Sequence, residues 1–101
     1  MATLDYREYE ARDRRLVLLR ALELAAQYRA NALLLQRYCE AVGHTVSADR
    51  LAADLAWLAE QGLVALQTAE GVTVATLTTR GADVAAGRTT VPGVQRPQPG
   101  L

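Results

Sequence analysis

The stretch VSADRLAADLAWLAE at residues 46–60 holds the side chains best suited to reading another molecule. Turned by about 100° per residue, it puts Leu51, Leu55 and Leu58 on one side and Asp49, Arg50, Ala53, Ala56, Trp57 and Glu60 on the other. An outward arginine near a helix N-terminus can bond guanine through both arms of its guanidinium, worth about 1–3 kcal/mol of discrimination. Arg50 has that position. Asp49 beside it could accept from cytosine N4, and Ser47 with the first-turn amides could hold a phosphate. Trp57 could touch a sugar or fold over a neighbouring hairpin. The same side offers a second chemistry, because Ala53, Ala56 and Trp57 form a small apolar patch, and Trp and Arg are frequent anchors of protein interfaces. Asp49, Asp54 and Glu60 surround the single base, and each carboxylate repels phosphate.

No constellation for catalysis accompanies these residues. The sequence has no phosphate-cradling glycine loop and no nucleophile elbow, and its one histidine cannot build a relay. The expectation is a protein that is not an enzyme and needs no cofactor. Asp49 and Asp54 read as a solvated helix face rather than an acid/base pair. Cys39 and His44 supply two metal ligands at most, which do not close a zinc site. They are expected to be a buried thiol and a solvated loop imidazole, with no metal. A lone cysteine cannot form an internal disulfide, which points to a reducing compartment.

The elements that must position these residues are legible from periodicity and caps. Residues 5–27 carry apolar side chains at helical spacing, with Leu18, Leu22 and Ala25 on one stripe. Tyr6, Tyr9, Leu16, Val17 and Leu24 lie roughly 120 to 210° away, so this helix is apolar on two sides and the second is expected to meet another copy of the chain. Asn31 is the expected N-cap of a second helix with inward Leu35, Cys39 and Val42, stopped by Gly43. Ser47 caps the third, with Val46 stapled on Leu51, and Gly62 ends it. Tyr28 and Tyr38 are expected to pack. Two helices joined by a short glycine-containing turn are the heart of a helix-turn-helix. Beyond Gly62, LVALQTAEGVTVATLTT alternates around a central AEG, which predicts a β-hairpin. Thr79 can cap a short last helix. RTTVPGVQRPQPGL holds all three prolines and is expected to be an extended tail, disordered or laid on a neighbour.

Helix, helix, helix, hairpin, helix is the order of a winged helix-turn-helix, mainly α with a small β-hairpin. The domain is expected over residues 1–88 and the tail over 89–101. Charge fits this fold's usual partner poorly. Eleven basic residues, all arginine, balance eleven acidic ones, whereas DNA-binding domains lean basic because affinity rests on displacing phosphate counterions. The hairpin tip QTAEGVT carries an acid and no base. Thr68 on the hairpin and Arg80 after it are its candidate contacts to DNA. Arg12, Arg14 and Arg15 near the start of the first helix, with Arg80 and Arg88, are better electrostatic candidates, diluted by the mixed charges of Arg7, Asp5, Glu8, Glu10 and Asp13.

LAEQGLV followed by a hairpin and LTTRGADVAAG resembles the junctions of winged-helix transcriptional regulators. EARDRRLVLLRAL, HTVSADRLAADLAWLAEQGLV and VPGVQRP resemble a family of small proteins of Mu-like phages and prophages, often grouped with regulators of the ArsR type. The likeness covers nearly the whole chain. It implies the winged-helix fold and a phage or prophage origin. Double-stranded DNA is the expected partner of such a fold, a homodimer is expected through the first helix, and the cytoplasm of a bacterial host is the expected location. The cysteine clusters of ArsR-type metal sensors are missing, so metal sensing is not implied. The rival expectation is an adaptor that uses this surface on a phage or host protein. No apolar run is long enough to span a membrane, and the mixed charges of MATLDYREYEARDRR exclude a signal peptide.

Overall fold

The computed structural model describes residues 5–99; the outermost positions of the two expected spans, 1–4 and 100–101, lie outside the described residues. Helix α1 runs Tyr6–Leu24 and passes through a single 3-10 turn, Ala26–Tyr28, into a short strand β1, Arg29–Asn31. Helices α2 (Ala32–Ala41) and α3 (Ala48–Glu60) follow, then strands β2 (Val64–Ala69) and β3 (Val72–Leu77), and a last helix α4 (Thr79–Ala85). Each helix starts where a polar side chain replaces a missing backbone acceptor. Asp5, Asn31 and Ser47 accept from the amides of Glu8, Leu34 and Arg50 at 3.1, 2.8 and 3.1 Å. The cap of α4 is Thr78, one residue before the expected Thr79. Its hydroxyl accepts from the Gly81 amide at 3.0 Å and donates to the Gly62 carbonyl at 2.7 Å, two bonds that tie α4 to the end of α3.

The sheet has three strands rather than the two of a lone hairpin, in the order β1-β3-β2. Strands β2 and β3 pair antiparallel from Val64↔Leu77 to Ala69↔Val72. Glu70 and Gly71 between them both have positive φ, 53° and 78°, as a tight primed turn requires. Strand β1 pairs along β3 from Arg29↔Thr76 to Asn31↔Val74 and buries Ala30. Three residues leave no alternation to detect.

Leucines from three helices meet in the core: Leu18, Leu19 and Leu22 of α1, Leu35 of α2, and Leu51, Leu55 and Leu58 of α3. Leu63 of the turn after α3, Ala75 of β3 and Val84 of α4 close it. Full burial of each leucine is worth about 1.5–3 kcal/mol. Cys39 is also inside. Val42 is not; it is exposed at the C-terminal end of α2, and Tyr38 within α2 and Tyr28 of the 3-10 turn, both expected to pack, are exposed as well. Leu16, expected on the side of α1 open to another copy, is buried within this chain, while Tyr6, Tyr9 and Leu24 are exposed and Val17 is half-buried.

Polar groups join α1 to the rest. Asp54 is 1% exposed and Arg14 8%. The Arg14 Nε donates to one carboxylate oxygen of Asp54 and Nη2 to the other, the latter at 3.3 Å, a fork fitted to a carboxylate. Asp54 is therefore an inward ion-pair partner and not a solvated carboxylate. His44 is buried too, with Nε2 2.6 Å from the Asp13 carboxylate, so it is not the solvated imidazole expected of the loop.

The described part of the tail, through residue 99, packs on this chain. Val91 is buried in the core, Val94 packs against it, and the Gln95 amide donates to the Arg12 carbonyl at 3.2 Å. Its valines supply the apolar anchors that its proline content conceals.

Removing one partner of a buried ion pair leaves a charge with no counter-charge, which costs about 3–5 kcal/mol, whereas an apolar pair of similar volume can be nearly neutral. Asp54→Ala is therefore expected to lower the unfolding free energy in urea by about 3–5 kcal/mol, and Arg14→Met combined with Asp54→Leu to restore most of it. A cost below about 1 kcal/mol for Asp54→Ala, the range of surface pairs, would mean that the bridge is not what holds α1 to α3.

Candidate nucleic-acid interface

Helix α3 offers its N-terminal half to the outside. Ser47, Asp49, Arg50, Ala53, Ala56 and Glu60 are exposed. Arg50 makes no ion pair among the described residues. Beside it, Arg7, Glu10 and Arg14 of α1 and Thr45, Val46 and Ser47 of the helix turn line a cleft that Arg50 completes. Arg14 spends its charge on Asp54. Arg7 and Arg50, set against Glu10, leave this cleft one positive charge in excess. The α3 N-terminus adds its partial positive end.

Trp57 is not an open contact. It is half-buried, its ring lies under the Arg15 guanidinium 4.2 Å from the centroid, and Gly93 of the tail sits against it. Arg15 Nη1 donates to the Gly93 carbonyl at 2.9 Å, while its Nε is buried with no hydrogen-bond partner. Burial holds the Arg15 guanidinium below the usual arginine range; Asp54 opposes this, and Arg14, Arg50 and Arg12 nearby add to it. Attraction to the indole face offsets part of that cost.

The remaining candidates lie apart from the cleft. The exposed Thr68 hydroxyl is 3.2 Å from that of Thr73 across the hairpin. Arg80 Nε donates to the Gln61 carbonyl at 3.0 Å, so its charge completes the C-terminal end of α3, about 20 Å from Ser47 along the helix. Arg88 pairs with Asp83 at 2.8 Å. Of the arginines near the start of α1, Arg14 and Arg15 are turned inward. Arg7, which the sequence offered only among diluting charges, is the α1 residue that reaches the α3 N-terminus; two turns before Arg14, it shares that residue's side of the helix.

Burial pushes the Cys39 thiol up to about 11, which leaves it protonated and a poor nucleophile or ligand at neutral pH. Among the described residues no three His, Cys, Asp or Glu side chains gather where they could hold a metal ion, and no helix is long and apolar enough to cross a membrane.

A helix-turn-helix whose second helix is flanked by a β-hairpin wing defines the winged-helix class. Sco5413 of Streptomyces coelicolor, a MarR family transcriptional regulator, is similar with a TM-score of 0.59 and 24% identity over 70% of this chain. The match spans 46% of Sco5413, so this chain corresponds to less than half of it. RosR of H. salinarum is similar with a TM-score of 0.62 and 24% identity, over 71% of this chain and 64% of RosR. No protein-family model matches the sequence. Its relatives are more direct: the uncharacterized protein gp26 of Escherichia phage Mu is 49% identical over 86% of this chain and 90% of its own length. An uncharacterized protein of Haemophilus influenzae is 36% identical over 76% of each. The chain belongs to the family of the phage Mu protein gp26.

Gly93 has φ +99°, and a Cβ there would stand 2.8 Å from Trp57 Cζ2 and 3.3 Å from Arg15 Nη1. Gly93→Ala is expected to lift the tail from Trp57 at a cost of about 1–3 kcal/mol. Trp57 is the sole tryptophan, so the change reads directly as a red shift of its emission and faster proteolysis between residues 91 and 98. Unchanged emission would show that the tail does not cover the ring in solution.

Proposed function

We propose that this protein is a DNA-binding module of a Mu-like phage or prophage, a transcriptional regulator or an accessory of DNA transactions. It acts as a homodimer in the cytoplasm of the bacterial host, with residues 1–88 as the binding domain and 89–101 as its tail. The observation that carries this is the cleft where Arg7, Ser47 and Arg50 meet at the open end of α3. A backbone phosphate seated there would bond the open α3 amides and the Arg7 guanidinium. In that register α3 lies in the major groove with Arg50 turned to base edges. Thr68 on the wing then lies beside the backbone. Arg80 acts through α3, whose end it holds, and Trp57 supports α3 from behind with Arg15 and the tail. The ArsR grouping that the sequence resemblance implies is the finer form of this assignment.

One observation favours a second reading, an adaptor for a phage or host protein. Leu33 and Val72 are both exposed at a cleft between α2, α3 and the wing, and no base lines it. Asp49 and Glu70 follow and precede its lining residues.

Fluorescence anisotropy of a labelled duplex across a salt series tests the two. Under the DNA reading affinity falls steeply with salt, Arg50→Ala weakens the preferred sequence by about 5- to 100-fold, and Arg7→Ala weakens all sequences and lowers the salt slope by about 1. Flat anisotropy at low salt would overturn DNA binding and leave the adaptor.

A further inference from the structure

The outer faces of α1 and α2 leave a groove that no other element covers among the described residues. Val17, Arg20, Glu23 and Leu24 form one wall, Tyr38 and Val42 the other. Leu34, Tyr38 and Val42 follow one another at four-residue spacing and are 56, 37 and 47% exposed; Leu24 is 78% exposed. A single exposed leucine is ordinary, but several on adjoining helices around one groove mark a partner surface.

The charges in the groove identify the partner. Arg20 and Glu23 are half-buried in these apolar surroundings, and neither makes an ion pair among the described residues. Their opposite charges stand about one helical turn apart on α1 without a direct contact, so each can still take a partner from outside. The occupant that fits brings apolar side chains with one acid and one base at the same spacing. A second copy of this groove, turned by a two-fold axis, brings that set in the matching order.

We infer that two copies of the chain meet through this groove, α1 against α1, with Arg20 of each paired to Glu23 of the partner subunit. The inference rests on the dimeric part of the proposed function and gives the dimer its surface. That surface differs from the one expected along α1. Leu16 is inside the chain, and Tyr9 stands about 20 Å from Leu24 along the helix. Val17 and Leu24 stay in the interface, and residues of α2 replace the rest. Arg50 and Ser47 do not line the groove, so the dimer keeps both reading helices free.

Sedimentation equilibrium of the full chain tests this. The unaltered protein is expected at twice the 10.9 kDa chain mass. Leu24→Asp, Arg20→Glu and Glu23→Arg are each expected to sediment at the single-chain mass, with helical circular dichroism unchanged because these side chains stand outside the core. An equimolar mixture of the Arg20→Glu and Glu23→Arg proteins is expected to return to the dimer mass, since each copy then offers the other an opposite charge at both contacts. Pairing within one helix could not produce that recovery. A monomeric unaltered protein at about 100 µM, a concentration at which a dimer with micromolar Kd is mostly assembled, would overturn the dimer itself. An unaltered dimer that survives Leu24→Asp would overturn this surface alone and leave the dimer standing. Monomeric single variants that fail to recover on mixing would overturn the Arg20–Glu23 pairing.

Discussion

Three consecutive residues of α1 hold the rest of the molecule in place. Asp13 bonds His44 in the loop after α2, Arg14 bonds Asp54 of α3, and Arg15 stacks on Trp57 of α3 while bonding the tail at Gly93. About 100° of turn separates each from the next, so one short stretch of helix faces the turn, the reading helix and the tail together. Buried ion pairs contribute little net stability compared with a good apolar fit. What this set adds is direction. Leucines on α1, α2 and α3 would accept several helix crossings, but Arg14 meets both oxygens of Asp54 only where α1 crosses α3 at one place. The orientation of the exposed side of α3 follows from that contact.

This arrangement has a consequence for charge. Each guanidinium committed inward is one fewer available to displace a counterion from a phosphate. Arg14 and Arg15 are used to position α3, Arg80 to finish its C-terminal end, and Arg88 to pair with Asp83. The two ends of α3 therefore differ in kind. Its C-terminal end is closed by Arg80, Trp57 and the tail. Its N-terminal end, at Ser47 and Arg50, is open and is reached by one further arginine, Arg7.

What the sequence disclosed follows how local each signal is. Asn31 and Ser47 could be read as caps because a cap needs only its own first turn, and the glycine turn of the hairpin is equally self-contained. Arg50 could be placed on the outward side by counting along α3. Asp54 was within reach of the same counting, since it lies three residues after Leu51 and four before Leu58, in the middle of the buried stripe. Its carboxylate argued for solvent, and only Arg14, forty residues earlier, reverses that. Strand β1 depends on β3 across more than forty residues, and three residues carry no period of their own. The tail was misleading through its composition: prolines signal disorder in bulk, while Val91 and Val94 pack into the core and Gly93 lies against Trp57 of α3 and Arg15 of α1. Trp57 is the case that bears most on function: counting along α3 set it outward, and Arg15 and Gly93, from elsewhere in the chain, cover it.

Neutral net charge and a winged-helix fold are compatible if affinity comes from repetition rather than from a dense basic surface. A single domain offers Arg7 and Arg50, and displacing about two counterions gives an affinity that fades quickly with salt. Two copies held rigidly by their α1 and α2 faces double the contacts, and the second half-site then binds at the high effective concentration set by the first. The reading helices must in that case lie about one turn of DNA apart, roughly 34 Å. A domain that binds strongly only when paired also gains discrimination. An unpaired copy, or a duplex offering one half-site, falls back to the weak affinity of two arginines. For a chain that has turned four of its eleven arginines toward its own structure, pairing is then what sets both strength and selectivity.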